Sequence, residues 1–145
     1  MPRKTSKTSR TKEYRTVISR PVRRLIAHMG LNLRVSSTPR KAKIMITVKK
    51  GVLGAYFGEG VVWIKDTMPY KKADQQMVVL HEIGHAIIDH YFDGNAKCKI
   101  SLKNHEIKAN AVAIAFAALQ KLPVSVNMIE RFAGFTKTRK THFEE

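Results

Sequence analysis

The segment from His81 to His85 reads HEIGH, with two histidines four residues apart and a glutamate directly after the first. Each residue of an α-helix turns by about 100°, so the two imidazoles would lie on one face, one turn apart. Both could then reach one metal ion. Glu82 would lie beside them, where a carboxylate can take a proton from a zinc-activated water. The spacing predicts zinc-dependent hydrolysis, with His81 and His85 as ligands and Glu82 as the general base.

A catalytic zinc site needs a third protein ligand and one open position. Glu106 is the leading candidate because it lies near the start of the next helical pattern, 21 residues after His85. Its neighbour His105 is the alternative. Asn110, one turn after Glu106, is expected to orient a ligand imidazole. Small residues on the same side of this helix would let it approach the HEIGH helix closely, and they are Ala109, Ala113 and Ala117.

Peptide hydrolysis also places negative charge on the carbonyl oxygen, and a tyrosine or histidine often stabilises that charge. Tyr70, just before the HEIGH helix, and His105 are the two candidates for this catalytic role. His90 lies on a different side of the helix and is expected to stabilise its C-terminus. The longer metzincin motif requires glycine at 88 and histidine at 91, but this chain has Ile88 and Tyr91 there, which excludes that class.

The elements that must carry these residues indicate an α+β fold. Apolar periodicity and capping residues predict four helices, from about Ser19 to Gly30, Lys71 to Tyr91, Leu102 to Leu122 and Ser125 to Phe132. Four stretches rich in alternating or β-branched residues predict strands: LNLRVSS, KIMITVKK, GAYFG and GVVWIKD. We expect these strands to form a small antiparallel sheet packed on the helices.

Length and charge define the domain organisation. A chain of 145 residues with 43% hydrophobic content can bury one core of ordinary size. Fifteen of its 27 Lys and Arg residues lie in residues 1–50 with one acidic residue, Glu13, so the charge of +16 is concentrated at that end. We expect a disordered basic tail at 1–13, one folded domain at 14–135 and a polar tail at 136–145. The basic region could bind nucleic acid nonspecifically or act as a solubilising extension.

Cys98 is the only cysteine, so the chain has no internal disulfide and no Cys-rich zinc site. The N-terminus lacks the apolar stretch of a secretory signal, and no apolar run approaches the roughly 20 residues needed to span a bilayer. We therefore expect a cytoplasmic protein with no membrane partner.

Three stretches together resemble the ImmA/IrrE family of zinc metallopeptidases: GAYFGEGVVWIKD, HEIGHAIIDH and EIKANAVAIAFAALQKLP. The similarity covers about Leu31 to Pro123. It implies a gluzincin-like minimal fold in which His81, His85 and Glu106 bind one Zn²⁺ and Glu82 is the base. It also implies a protein substrate, typically a DNA-binding repressor or regulator. The chain departs from the family pattern in placing its aromatic residue at Phe116 and in carrying the basic tail.

Three functions compete at this point. The first is a zinc endopeptidase acting on a regulatory protein. The second is a SprT-like protease of DNA-bound proteins, with His105 as the third ligand, although the His-Gly and Trp pattern of that family is missing. The third is a nucleic-acid-binding protein with a degenerate HExxH domain, but a structural zinc site has four protein ligands and no use for Glu82.

Overall fold

The computed structural model describes residues 12–93 and 102–134, which form an α+β fold. Its helices are α1 (Arg20–Met29), α2 (Lys72–Ile88), α3 (Leu102–Leu119) and α4 (Val126–Ala133), with a π-helical turn, Asp89–Asp93, directly after α2. Its strands are β1 (Tyr14–Arg15), β2 (Asn32–Ser36), β3 (Gly54–Tyr56), β4 (Val61–Lys65) and β5 (Thr67–Met68), and a 3-10 turn spans Arg40–Ala42. The four predicted helices are confirmed. The predicted tails, apart from Lys12 and Glu13, lie outside the described residues, as does Cys98.

The main sheet has three strands in the order β2-β4-β3 and is mixed. β3 and β4 form an antiparallel hairpin, whereas β2 runs parallel to β4, with Arg34 opposite Trp63. The predicted antiparallel sheet is therefore wrong at β2. The end of β2 and the start of β3 lie at the same end of the sheet, with Ser36 opposite Lys65 and Gly54 opposite Ile64, and this connection leaves β2 parallel to β4. Burial sets the order of the strands, because Val62, Trp63 and Ile64 of β4 are at most 1% exposed. A strand this apolar takes the central position, where both of its edges are paired.

The stretch 43–50, predicted as a strand, pairs with no strand in the described part of the chain. Lys43 adopts a left-handed conformation, with φ of 69°, and turns the chain at the start of the stretch. Ile44 is buried in a small apolar cluster beside β4. Met45 and Ile46 are 69% and 48% exposed. The apolar residues here therefore reflect a partly exposed loop rather than a sheet strand.

α1 begins and ends where the sequence predicts. Pro21 lies in its first turn, and Gly30 ends it in a left-handed conformation, with φ of 68°, which favours glycine. Val22 and Ile26 form the buried stripe of the helix. Ser19 occupies the N-cap position, but its hydroxyl makes no capping hydrogen bond.

Two buried glutamines of α2 hold the chain between β1 and α1. β1 pairs with β5 in a separate antiparallel ribbon. Each glutamine then makes three hydrogen bonds to backbone groups. The partners of Gln75 are Val17 N–H at 2.9 Å, the Arg15 carbonyl at 3.0 Å and the Tyr70 carbonyl at 2.9 Å. The partners of Gln76 are Ser19 N–H at 2.9 Å, the Val17 carbonyl at 2.8 Å and the Lys72 carbonyl at 2.6 Å.

α2 and α3 pack antiparallel and closely, as the small residues of α3 predict. A Cβ atom added to Gly84 would lie 2.8 Å from the backbone oxygen of Ala109 and 2.9 Å from its Cα. Ala109, Ala113 and Ala117 are all buried. The backbones therefore approach to a distance that only glycine permits at position 84, and this brings the start of α3 against the HEIGH turns.

α4 is fixed to the first turn of α2. The Ser125 hydroxyl accepts a hydrogen bond from Met128 N–H at 3.2 Å, which caps the helix. The Ser125 N–H and hydroxyl both donate to the Asp74 carboxylate at 2.8 Å.

α3 ends at Leu119, earlier than the predicted Leu122. None of the helices in residues 12–93 and 102–134 combines the length and apolar content that crossing a bilayer requires.

Candidate metal centre

His81 and His85 lie on the face of α2 that is turned toward α3. Their Nε2 atoms are 3.1 Å apart, and their rings meet edge to face with centroids 4.6 Å apart. His81 is fully buried, whereas His85 is partly open to solvent. The helical spacing therefore brings together the two nitrogen atoms that the sequence assigns to one metal ion.

Glu106, in the second turn of α3, completes the cluster. Its Oε1 lies 3.0 Å from Nε2 of His81, and its Oε2 lies 3.1 Å from Nε2 of His85. Oε1 is buried and has no hydrogen-bond partner of acceptable geometry within the described residues. The ligand atoms of the three side chains all lie within 4.8 Å of one another. Three electron-pair donors therefore converge on one point.

The spacing of these donors could hold a metal ion. In a tetrahedral site with bonds of about 2.0–2.1 Å, neighbouring ligand atoms lie roughly 3.3 Å apart. The three distances here are 3.0, 3.1 and 3.1 Å, so a small movement would open the triangle to that size. A cation would also provide a partner for Glu106 Oε1. The predicted ligand triad, His81, His85 and Glu106, is therefore assembled by the fold.

Asn110 lies behind His81, as the sequence predicts. Its Oδ1 is 2.7 Å from Nδ1 of His81. An amide oxygen only accepts hydrogen bonds, so the His81 Nδ1 carries the proton and Nε2 keeps its lone pair for the cluster. The contact fixes both the tautomer and the orientation of the ring.

His105 lies behind His85 rather than in the ligand triad. Its Nδ1 is 2.8 Å from Nδ1 of His85, and the two rings stack with centroids 4.8 Å apart. The sequence offered His105 as a third ligand or as a donor to the carbonyl oxygen. The geometry places the Glu106 carboxylate against both Nε2 atoms and directs Nδ1 of His105 toward His85.

The two glutamates of the centre have opposite pKa shifts. Glu82 is 2% exposed, and this burial, only partly offset by His85, raises its pKa to about 8. Partial burial alone would raise the pKa of Glu106, but its close electrostatic contacts with His81 and His85 outweigh that effect and lower the pKa to about 2. Glu106 is therefore an anion suited to a cation, whereas Glu82 is suited to exchanging protons.

A cavity of about 560 Å³ opens beside the cluster. Glu82, His85, His105 and Glu106 line one side. The rest of the lining is mainly apolar and comes from residues 46–57, and its side chains include Ile46, Val48, Val52, Ala55 and Phe57. A Cβ added to Gly54 of β3 would meet the Glu82 Cγ at 3.2 Å, so this glycine gives the glutamate room against the strand.

Tyr70 is not brought to this cavity. Its hydroxyl accepts a hydrogen bond from Arg131 at 3.0 Å, and it is not among the cavity-lining residues. The candidate role of Tyr70 as a donor to the carbonyl oxygen therefore stays a prediction.

Sequence reasoning missed two side chains near the centre. Phe132 of α4 packs edge-on against His81, with centroids 6.0 Å apart, and no local pattern links residues so distant in sequence. Tyr56 of β3 donates to Asp89 at 2.8 Å, and both residues border the cavity. Asp89 could have been noticed, because it lies one turn after His85 on the same face of the helix.

Comparison with models of known protein families, with curated proteins and with solved structures finds no match for this chain. The resemblance to the ImmA/IrrE peptidases therefore stays a prediction.

Proposed function

We propose that the protein is a zinc-dependent metalloendopeptidase that hydrolyses peptide bonds in a protein substrate. The observation that carries the proposal is the convergence of His81 Nε2, His85 Nε2 and the Glu106 carboxylate within 3.1 Å, with Glu82 buried beside them at a cavity. Two histidines and a carboxylate are a ligand set that hydrolytic zinc sites use, with the fourth position open.

His81, His85 and Glu106 would hold the ion. When bound, zinc supplies Lewis-acid chemistry that makes a water molecule acidic and polarises a peptide carbonyl. Asn110 orients His81 through Nδ1, so that Nε2 remains available as a ligand. Three ligands in the described residues leave room for substrate, whereas a structural site is closed by four. The non-enzymatic alternative is therefore less well supported.

Glu82 is the general base in this proposal. It accepts a proton from the attacking water and later delivers it to the nitrogen of the departing amine, which balances the reaction. Its burial favours the protonated form in the free protein. The positive charge of a bound cation would lower the pKa of Glu82 toward neutrality, where a base works best.

The cavity supports an extended polypeptide as substrate. β3 is an edge strand of the main sheet, and residues 54–57 line the cavity beside Glu82. An extended peptide can add to such an edge through backbone hydrogen bonds. The apolar lining of the cavity suits an aliphatic or aromatic side chain near the cleaved bond. The resemblance to the ImmA/IrrE peptidases is the reason for proposing a DNA-binding regulator as that substrate.

The basic N-terminal region supports a nucleic-acid interaction alongside the peptidase activity. Arg20 and Arg24 are exposed on the outer face of α1, opposite the buried Val22 and Ile26. Such a face can neutralise phosphates without reading sequence. The SprT-like alternative shares this property, but it needs His105 as a ligand, whereas the group that lies against both Nε2 atoms is the Glu106 carboxylate.

The activity is tested with a peptide library derived from denatured cellular proteins, with cleavage sites mapped by mass spectrometry. We expect the zinc-loaded wild type to cut, chelation to stop cutting, and re-added zinc to restore it. Glu82→Gln should lower the rate by about 10²–10⁴-fold without loss of zinc. Ile107→Ala, an exposed change on α3, is the control. Equal cutting by wild type and Glu82→Gln would refute the proposed mechanism.

A further inference from the structure

The contact between His85 and His105 has a defined chemical requirement. Their Nδ1 atoms lie 2.8 Å apart, which is a hydrogen-bond distance. Two ring nitrogens at this distance form a bond when one carries a proton and the other offers a lone pair. One of the two histidines must therefore be the donor and the other the acceptor.

The metal cluster decides which is which. His85 directs Nε2 toward Nε2 of His81 and the Glu106 carboxylate, at 3.1 Å from each. If Nε2 binds a metal, its lone pair is committed there, and a neutral imidazole then carries its proton on Nδ1. His85 is the donor under this condition, and His105 Nδ1 is the acceptor.

We infer that His105 is a positioning residue: its Nδ1 accepts the His85 Nδ1–H and so holds His85 Nε2 toward the metal. This inference rests on the proposed zinc site. His105 has the same relation to His85 that Asn110 has to His81, where the Oδ1 to Nδ1 distance is 2.7 Å. α3 thus supplies the ligand Glu106 and one hydrogen-bond acceptor for each histidine, Asn110 for His81 and His105 for His85.

The role differs from both roles that the sequence offered for His105. A third ligand would need a lone pair directed at the cluster, but Nδ1 is directed at His85. Stacking of the two rings, with an interplanar angle of 28°, is a second way in which His105 could restrain His85. The test must therefore separate the hydrogen bond from the stacking.

The first test measures zinc affinity by competition with a chromophoric chelator. His105→Phe keeps an aromatic ring but removes the acceptor, and we expect about 10–100-fold weaker zinc binding. His105→Asn can present its Oδ1 near the position of Nδ1, and we expect affinity closer to that of the wild type. Asn110→Ala should weaken binding to a similar degree as His105→Phe. Ile107→Ala, on the exposed side of the same helix, should leave it unchanged.

The second test is a long-range ¹⁵N–¹H correlation spectrum of the zinc-loaded wild-type protein, which does not depend on how the variants fold. We expect His105 to carry its proton on Nε2 and His85 to carry its proton on Nδ1. Wild-type affinity in His105→Phe, or a protonated His105 Nδ1, would overturn the inference while leaving the zinc site intact. A wild-type protein that binds no zinc would instead overturn the proposed function.

Discussion

Two regions of α2 bury polar side chains, and the two regions differ in how those side chains are hydrogen-bonded. In the first turns of α2, Gln75 and Gln76 are at most 1% exposed, and each makes three hydrogen bonds to backbone groups. Between one and two turns later, His81 and Glu82 are equally buried, but Nε2 of His81 faces the lone pairs of His85 and Glu106. The first group of polar atoms is satisfied by the chain itself. In the second group, atoms that carry lone pairs are directed at one another.

The difference separates structure from function. Buried polar groups normally find partners within the protein, because an unpaired one costs about 1–3 kcal/mol. The glutamines follow that rule and fasten the segment between β1 and α1. The carboxylate of Glu106 keeps a buried oxygen without a good partner among the described residues, and Glu82 keeps a carboxyl group with a raised pKa. Such an arrangement has a use when a cation and a substrate complete it.

The largest effect on stability should come from replacing one of the two buried glutamines of α2, Gln75 or Gln76. Gln75→Leu removes the partners of three backbone groups, at Val17, Arg15 and Tyr70, and we expect the free energy of unfolding to fall by about 3–5 kcal/mol. Urea unfolding measures the change, with exposed Gln120→Leu as the matched control. Zinc bound per folded chain should not change. A zinc site lost together with stability would break the division between the two turns.

Glu82, unlike Gln75, should lower the stability of the folded protein at neutral pH. Burial raises its pKa to about 8 from 4.5, so the folded, metal-free protein keeps a proton that the unfolded chain releases. Stability should therefore fall as the pH rises from about 4.5 to 8. Glu82→Gln removes this dependence, whose upper limit over the whole window is about 5 kcal/mol. Urea unfolding of both proteins at the two ends of this window measures it.

Glu106 provides the internal comparison for that measurement. The lowered pKa of Glu106, about 2, means that it stays ionised in both states above pH 4.5. Its contribution is lost only as the pH falls toward 2. An identical pH slope in wild type and Glu82→Gln between about pH 4.5 and 8 would show that the buried carboxyl does not have the raised pKa.

Gly84→Ala should loosen the packing of α2 against α3. The new Cβ would lie 2.8 Å from the Ala109 oxygen, and we expect a loss of about 1–3 kcal/mol together with weaker zinc binding, because Glu106 would move away. Ala109→Gly in the same chain should not restore either property, since the collision is with backbone atoms. Rescue by that second change would contradict the close backbone approach.

The smallest effect should come from charges outside both turns. Arg20→Gln with Arg24→Gln changes two exposed cations of α1. We expect zinc content and stability to stay the same, while the slope of log affinity for duplex DNA against log salt becomes shallower by about two. Fluorescence anisotropy at several salt concentrations measures the slope. No nucleic-acid binding by the wild type would reduce the basic region to a solubilising extension.

Local patterns predicted the four helices, the three strands of the main sheet and most of the centre. The HEIGH spacing fixed the placement of two imidazoles on one face, and the small residues of α3 indicated the close approach that brings Glu106 and Asn110 to them. Both features depend on the spacing of residues within one helix or on one pair of neighbouring helices, so they can be predicted from the periodicity of the sequence.

Long-range partners were not predictable in the same way. The Gln75 and Gln76 bonds reach backbone groups 57–60 residues away, and Phe132 reaches His81 from the far end of the chain. The parallel pairing of β2 with β4 likewise depends on which strand takes the buried centre of the sheet. Such outcomes follow from the competition of all segments for the core, which no single segment encodes.

The zinc content of the purified wild type, Glu82→Gln and Glu106→Ala proteins, measured together by plasma mass spectrometry, tests the central claim most directly. A ligand and a base have separate consequences when they are replaced. We expect about one zinc per chain in the wild type and in Glu82→Gln, and almost none in Glu106→Ala. A full complement of zinc in Glu106→Ala, or none in the wild type, would contradict the assignment of His81, His85 and Glu106 as the metal site.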